Sequence, residues 1–214
     1  MVDFQRARAH MVESQLRAGG VTNARILACM RSIPREDFVD PGRRELAYAD
    51  DIQWLGNGRF MAAPATLAKL IKLAEITSDD TVLDIGAASG YSTAVIAGLA
   101  ASVTGLEQDT ALAAGATANL AALGLTNAHI VAGDIDQVGQ ARFDAIIVEG
   151  ALDSVPDAFL AALNEGGRLV ALIRNGAVSV AHVFVKSGRG VTARAEFNAF
   201  LPPLVQRPNE EFTF

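Results

Sequence analysis

Two glycines and one glutamate near the middle of the chain have the types and spacing of a nucleoside-binding site. Gly86 and Gly90 follow the apolar run Thr81–Ile85, and a helical pattern begins directly after them. Glycine has no Cβ, so this loop can turn tightly and bring its backbone close to a ligand at a helix N-terminus. Glu107 lies 21 residues after Gly86, where a carboxylate can accept hydrogen bonds from ribose hydroxyls. The pattern therefore predicts a cofactor that contains a nucleoside.

The glycine spacing indicates which class of cofactor the loop fits. A dinucleotide fingerprint aligned on Gly86 needs glycines at the positions of Ala88 and Tyr91, so a nicotinamide enzyme is the least favoured alternative. The loop is similar instead to the Asp/Glu-x-Gly-x-Gly-x-Gly loop of S-adenosylmethionine-dependent methyltransferases, with alanine at the middle glycine. The predicted cofactor-binding residues are Asp84, Gly86, Ala87, Ala88, Ser89, Gly90, Tyr91, Glu107, Asp134 and Ile135.

Two acidic residues follow later apolar runs. Asp134 comes after the run 128–132 and is predicted to face the adenine edge, although an Asx turn that closes the strand is an alternative. Glu149 comes after the run 143–148. Ligands of open α/β sheets lie outside the carboxyl ends of the strands, so Glu149 is predicted to face substrate. A solvated loop glutamate is the alternative interpretation.

The segments around these residues alternate between strand and helix, which predicts a doubly wound, mostly parallel α/β sheet. Together with this sheet, the resemblance of the glycine loop to that of S-adenosylmethionine-dependent methyltransferases implies the Rossmann-like class I methyltransferase fold. Two alternating runs after residue 177 predict a C-terminal antiparallel hairpin. The expected strands are 81–85, 102–106, 128–132, 143–148 and 168–173, and the expected helices are 90–99, 110–122 and 155–163.

The first 80 residues are predicted to be a helical and loop elaboration that does not fold independently of the α/β domain at 81–214. Helices are expected over 3–17, 23–32, 42–49 and 64–74, with Thr22 as the N-cap of the second. Residues 50–64 are expected to be irregular, with a turn at Gly56–Gly58.

Composition restricts the partners of the protein. The 214 residues carry a formal charge of −6, which disfavours a nucleic-acid partner. No apolar run reaches the about 18 residues that span a bilayer, so no membrane partner is expected. The N-terminus lacks the apolar core of a signal peptide, which predicts a soluble cytoplasmic protein.

Cys29 is the sole cysteine, which excludes an internal disulfide, and the three histidines are too scattered to predict a metal site.

Over nearly its whole length the chain resembles the protein-L-isoaspartate O-methyltransferase family. The segments that carry the resemblance are Met11–Leu16, Ile33-Pro-Arg-Glu-Asp-Phe-Val39, Ala47-Tyr-Ala-Asp50, Asp84–Tyr91, Phe143–Ile146, Leu163–Val170 and Phe197–Leu204. The resemblance implies methyl transfer from S-adenosylmethionine to the free carboxylate of isoaspartyl residues in damaged protein. It also implies protein repair and a protein or peptide partner that bears isoaspartate, while the oligomeric state stays open.

The segment Gly56–Pro64 departs from that family, which usually reads Gly-x-Gly-Gln-Thr-Ile-Ser-Gln-Pro here. Ala62 stands at the serine that helps to position the reacting groups, Phe60 at the threonine, and Arg59 and Ala63 at the glutamines. The predicted catalytic positions are Arg59 and Ala62. Arg59 could bind a carboxylate through two parallel hydrogen bonds or could face solvent.

These departures leave two alternatives to isoaspartyl methylation. One is a non-catalytic homologue that binds S-adenosylmethionine. The other is a methyltransferase redirected to another substrate, for which the evidence is Arg59 together with the predicted substrate-facing residues Phe60 and Glu149.

Overall fold

A seven-stranded sheet forms the centre of the computed structural model, which describes residues 2–176 and 178–204. Its strand order is β5-β4-β3-β6-β7-β8-β9, and a separate two-stranded hairpin, β1-β2, precedes it. Strands β3 to β7 run parallel, whereas β8 and β9 add antiparallel neighbours at one edge. The mostly parallel sheet and its C-terminal antiparallel hairpin are thus confirmed. The strands are β1 Gln53–Gly56, β2 Arg59–Met61, β3 Thr81–Ile85, β4 Ser102–Glu107, β5 Ala128–Ala132, β6 Phe143–Leu152, β7 Leu163–Asn175, β8 Val178–Ser187 and β9 Gly190–Ala199.

The described residues form six α-helices, three of which come before the seven-stranded sheet in the chain and three between its strands. They are α1 Phe4–Met11, α2 Ala24–Ser32, α3 Pro64–Leu73, α4 Tyr91–Ala97, α5 Thr110–Ala122 and α6 Asp157–Ala161. Short 3-10 helices cover Arg35–Phe38, Pro41–Leu46 and Ile135–Val138, and a π-helix covers Val12–Arg17. Within the described part of the chain, no helix is both long and apolar enough to cross a membrane.

The N-terminal helices differ from the sequence prediction in three ways. The expected helix over 3–17 is α-helical only to Met11 and continues as the π-helix. The N-cap of α2 is Asn23 rather than Thr22, because the Asn23 side chain accepts hydrogen bonds from the backbone N–H groups of Arg25 and Ile26. The helix predicted over 42–49 is a 3-10 helix that ends at Leu46.

The sheet separates two hydrophobic cores. Side chains alternate along β6, so Ala145 and Ile147 face one core while Ile146 and Val148 face the other. The first core also contains buried residues of the N-terminal helices, among them Met11. The N-terminal region and the sheet therefore bury their apolar surface against each other.

Three elements were predicted with the wrong extent. The segment expected to be irregular forms the β1-β2 hairpin, in which the Trp54 and Phe60 rings pack edge to face with centroids 5.8 Å apart. Strand β7 begins at Leu163 and includes Gly166 and Gly167, which were expected to form a turn before residue 168. Helix α6 is correspondingly shorter than the expected 155–163.

Strand β6 extends beyond its predicted end through an irregularity in its pairing. It pairs with β7 at Ile147↔Val170 and next at Ala151↔Leu172, so β6 carries two extra residues between these pairs. Beyond this bulge, Ala151 exchanges backbone hydrogen bonds with the segment 202–204 at 2.9 and 3.0 Å. The segment 202–204 therefore lies directly over the end of the parallel sheet.

Candidate active site

A cavity of about 90 Å³ lies at the carboxyl ends of β3, β4 and β5, where open α/β sheets bind ligands. It brings together four of the predicted site residues, Arg59, Gly86, Asp134 and Ile135. The remaining lining residues are mostly apolar and could enclose a flat ring; they are Ile85, Leu106, Gln108, Gly133, Phe159 and Leu204. Gln108, Phe159 and Leu204 were not predicted, although Gln108 directly follows Glu107 in the sequence.

The glycine loop requires glycine at its first position. Gly86 has φ +85°, and a Cβ built there would lie 2.7 Å from Leu204 Cδ1 and 3.2 Å from Arg59 Nη2. Gly90 has φ +87° and begins α4. Ala88, at the middle glycine of the family pattern, also has a positive φ of 50°, a conformation that L-residues adopt only with strain. The loop thus keeps the backbone path of a glycine-rich cradle despite its alanine.

Glu107 is fully buried at the end of β4 and accepts three hydrogen bonds. Its Oε2 accepts from the Ala88 backbone N–H at 2.7 Å and from Arg59 Nη2 at 2.7 Å. Its Oε1 accepts from the Asp109 backbone N–H at 2.9 Å. Because each carboxylate oxygen has two lone pairs, Oε1 retains one acceptor position. The role of Glu107 as a ribose ligand stays a prediction, and its carboxylate lies directly under the glycine loop.

Arg59 is held at this cavity rather than in solvent. Besides its ion pair with Glu107, Arg59 Nη1 donates to the Leu204 carbonyl at 2.9 Å. The solvent-facing alternative for Arg59 is therefore excluded. Phe60, the next residue, is 3% exposed and packs against Trp54 instead of lining the cavity.

Asp84 is a fully buried carboxylate beneath the loop. Its Oδ2 accepts hydrogen bonds from Ser92 Oγ at 2.7 Å and Thr93 Oγ1 at 2.6 Å, whereas Oδ1 has no partner. Burial raises the pKa of Asp84 to about 6, because the two hydroxyl donors only partly offset the lost hydration and Glu107 adds like-charge repulsion.

Glu149 is buried as well, with 5% of its surface exposed, which excludes the solvated-loop interpretation. Burial raises the pKa of Glu149 well above its usual range, the nearby Asp84 raises it further, and Arg35 opposes both. Its Oε1 has no hydrogen-bond partner. A carboxyl group in such surroundings keeps its proton to higher pH than an exposed glutamate does.

Arg35 was quoted in the family-like motif without a role, and the structure places it fully buried beside these groups. Its Nε donates to the Ala47 carbonyl at 2.7 Å and its Nη2 to the Ala62 carbonyl at 2.6 Å. Its guanidinium lies 4.7 Å from the centroid of the Tyr91 ring. An arginine inside a motif of otherwise ordinary packing residues was the signal that could have identified it.

The other predicted residues fall into two groups. Asp134 lines the cavity and also accepts a hydrogen bond from the Asp136 backbone N–H at 3.2 Å, so its turn-forming and ligand-facing interpretations are compatible. Buried residues that do not line the cavity make up the second group, and their cofactor or catalytic roles stay predictions; they are Ala62, Ala87, Ala88, Ser89 and Tyr91.

A family model described as protein-L-isoaspartate(D-aspartate) O-methyltransferase matches residues 6–208. The chain belongs to this family. A protein-L-isoaspartate O-methyltransferase of Methanoculleus marisnigri is 41% identical over 169 residues, which cover 78% of this chain and 77% of the relative. The Koribacter versatilis protein of the same name is 34% identical over 94% of this chain and 92% of its own length. The family resemblance inferred from the motifs is thus confirmed.

A solved structure supports the fold independently. A Plasmodium falciparum protein, described as a protein-L-isoaspartate O-methyltransferase in complex with S-adenosyl-L-homocysteine, superposes with a TM-score of 0.80. The match covers 97% of this chain and 100% of the other at 20% identity, so it carries the fold alone.

The family uses S-adenosylmethionine, and the residues of this site fit such a cofactor. The cavity combines apolar walls for a base, a glycine loop that admits close approach, and the buried Glu107. Its volume is below the ~300–1,000 Å³ of typical ligand pockets, because Arg59 and Leu204 lie over Gly86.

Proposed function

We propose that this protein methylates the free carboxylate of isoaspartyl residues in protein or peptide, with S-adenosylmethionine as the methyl donor. The observation that carries this proposal is the family match over residues 6–208. A cavity built from the glycine loop and the ends of neighbouring strands supports it. The wider role would be repair of damaged protein.

Methyl transfer requires little acid–base catalysis from the protein. When bound, S-adenosylmethionine supplies a methyl group on a sulfonium, which is electrophilic without further activation. The substrate carboxylate is already ionised at neutral pH, since such groups have pKa values of about 4. The protein therefore acts by binding and orienting the reactants, which contributes up to ~7–11 kcal/mol.

Several residues of this chain are assigned to that orientation. We assign Glu107 to the ribose hydroxyls, Asp134 to the adenine edge and the Gly86–Gly90 loop to the amino-acid half of the cofactor. Arg59 and Leu204 cover the loop and would limit access of water to the reacting groups. All of these groups come from strand ends or from segments fixed by hydrogen bonds.

The lost serine hydroxyl lowers the expected rate without abolishing the reaction. One hydrogen bond is worth about 0.5–1.5 kcal/mol net, which corresponds to roughly a tenfold effect on rate. Ala62 therefore does not argue against methyl transfer.

The test is methyl transfer to an isoaspartyl peptide, with the same peptide carrying normal aspartate as the control. We expect transfer to the isoaspartyl peptide alone. Calorimetry with S-adenosylhomocysteine provides a second measurement, in which Glu107→Ala should weaken binding by about 1.5–3 kcal/mol for each lost charged hydrogen bond.

The outcomes separate the alternatives. Binding of S-adenosylhomocysteine without transfer to the isoaspartyl peptide would favour a non-catalytic homologue or a redirected methyltransferase. Absence of binding would overturn the assignment of the cofactor site, and unchanged affinity in Glu107→Ala would remove Glu107 from it.

A further inference from the structure

Two buried carboxyl oxygens beneath the glycine loop, Asp84 Oδ1 and Glu149 Oε1, lack hydrogen-bond partners among the described residues. Beside them, the polar ends of Arg35 and Tyr91 interact with each other. The Arg35 guanidinium stacks on Tyr91, and both Arg35 and Asp84 interact electrostatically with Glu149. Buried polar atoms are usually paired, so a cluster of unpaired ones indicates a place where another polar group binds.

The bulge in β6 directs Glu149 into this cluster. Ile147 is the last β6 residue before the two extra ones, and it pairs with Asp84 of β3. Glu149 lies within the bulge, where neither neighbouring strand pairs with it. Its Cβ is 3.6 Å from the position that a Gly86 Cβ would occupy. Bulges next to active sites commonly redirect a side chain in this way.

The same cluster adjoins the position of the missing serine. Arg35 donates to the Ala62 carbonyl at 2.6 Å while its charge also acts on Glu149. Arg35 thus interacts both with the backbone at position 62 and with the Glu149 carboxyl. Oε1 of Glu149 forms no hydrogen bond with the described residues, so it is available to a ligand.

The surrounding charges determine which carboxyl group keeps the proton. Glu149 interacts with Asp84 from β3 and with Arg35 from the 3-10 helix Arg35–Phe38. Behind them, Tyr91 of α4 contacts Arg35, and Glu107 of β4 acts on Asp84. Asp84 has two hydroxyl donors and so retains the negative charge. Glu149 has none, so its carboxyl is the neutral hydrogen-bond donor of the pair.

We propose that the Glu149 carboxyl donates a hydrogen bond to the substrate carboxylate and so supplies a positioning contact that Ala62, at the family's serine position, cannot make. One carboxylate oxygen of the isoaspartyl group would accept this bond, and the other would remain free to attack the methyl group. No proton is transferred in the step. The inference rests on the proposed function, and it adds a substrate-binding residue specific to this chain.

The first experiment compares Glu149→Gln with Glu149→Leu in the full chain. Glutamine keeps a donor of the same shape, so kcat/KM for the isoaspartyl peptide should stay within about threefold of wild type. Leucine removes the donor and should lower kcat/KM by about tenfold, the effect of about 1.4 kcal/mol. Affinity for S-adenosylhomocysteine should change less than about twofold in both variants, because neither loses a cofactor contact.

Rescue and pH dependence distinguish this role from a structural one. Ala62→Ser added to Glu149→Leu should restore most of the lost kcat/KM. The wild-type rate should fall as rising pH ionises Glu149, and Glu149→Gln should abolish that fall. Wild-type activity in Glu149→Leu, or a loss that neither Gln at 149 nor Ser at 62 restores, overturns the proposal.

Peptide binding separates failure of this inference from failure of the proposed function. Calorimetry with the isoaspartyl peptide and the S-adenosylhomocysteine complex should show weaker binding in Glu149→Leu than in wild type or Glu149→Gln. If the wild type binds the peptide in this pattern but transfers no methyl group, the inference stands and the proposed reaction fails. If the wild type does not bind the peptide, both fail.

Discussion

At the scale of single residues, Arg59 connects three distant parts of the chain at the cofactor cavity. Its guanidinium joins the β1-β2 hairpin to Glu107 at the end of β4 and to the carbonyl of Leu204. Arg59 lies 3.2 Å from where a Gly86 side chain would begin, so it occupies space above the glycine loop. It therefore competes for both the room and the carboxylate that the cofactor is expected to use.

Replacing Arg59 by glutamine, the residue usual in the family, should strengthen cofactor binding and lower the stability of the ligand-free protein. In this variant, Glu107 has no ion pair with residue 59 to give up when the cofactor binds. We therefore expect up to about tenfold higher affinity for S-adenosylhomocysteine. The ligand-free protein should lose about 1.5–3 kcal/mol, the value of a hydrogen bond to a charged group. Calorimetry and thermal unfolding measure the two effects.

A matched control is Arg174→Gln, which removes an exposed ion pair with Asp153 far from Gly86 and should change neither quantity measurably. Weaker cofactor binding in Arg59→Gln would instead make Arg59 a ligand of the cofactor.

The carboxyl groups of Asp84 and Glu149 give the ligand-free protein a distinctive pH dependence. Both have pKa values raised by burial, that of Asp84 to about 6, so the folded state binds their protons more tightly than the unfolded state. Their contribution to stability is complete below the unfolded values of about 4 and is lost as pH rises through the folded values. We expect Glu149→Gln to flatten the decline in Tm as pH rises above the unfolded value of about 4. Parallel pH profiles for the two proteins would contradict this.

At the scale of elements, the β1-β2 hairpin positions Arg59 and depends on its own small aromatic cluster. Phe60 is 3% exposed and packs on the half-exposed Trp54. The sequence favoured Phe60 as a group that shapes the substrate site, but its burial gives it a packing role. The Phe60 ring fixes strand β2, and Arg59, the residue before Phe60, reaches Glu107.

Phe60→Thr should therefore destabilise the protein without accelerating methyl transfer. Truncating a buried phenylalanine costs roughly 3–5 kcal/mol for alanine, and threonine should come close to that cost. Thermal unfolding measures the loss, and Trp54→Thr is the control, with a smaller loss expected because the side chain is 44% exposed. A faster isoaspartyl methylation in Phe60→Thr would restore the substrate-shaping interpretation.

The sequence pattern predicted those elements whose limits are set by residues close together in the chain. Strands β3, β4 and β5 end within one residue of their expected limits, because each is a contiguous apolar run bounded by a turn. The three-residue β2 carries too short a pattern to distinguish from a loop. The contact between Arg59 and Glu107 spans 48 residues and depends on where the hairpin docks, which no local pattern encodes. The bulge in β6 arises from its partners, so it too was beyond local prediction.

At the scale of the whole molecule, the N-terminal region completes the core of the sheet. Met11, Leu67 and Leu70 share one hydrophobic core with Val82 and Ile96. Arginines reinforce this contact: Arg168 of β7 donates to the carbonyls of Ala74 and Glu75. We propose that residues 1–80 and the α/β region form a single folding unit.

A fragment that begins at residue 81 should therefore fail to fold cooperatively. Removing the N-terminal helices would expose apolar surface of the core that they share with the sheet and α4, which includes Val82 and Ile96. Thermal or urea unfolding of the fragment, compared with the full chain, should give a broad transition or none. A sharp transition near that of the full chain would show that the α/β region is independently stable.

The two extra residues in β6 also affect how this site can change in length. Side chains alternate along a strand with a period of two, so a deletion of two residues leaves every later side chain on its original face. Removing Glu149 and Gly150 together would straighten the strand while Ala151 still faced its own core. A deletion of one residue would move every later side chain of the strand to the opposite face of the sheet. Insertions and deletions in pairs, rather than substitutions alone, are thus a route by which this sheet can gain or lose a carboxyl group at its active edge.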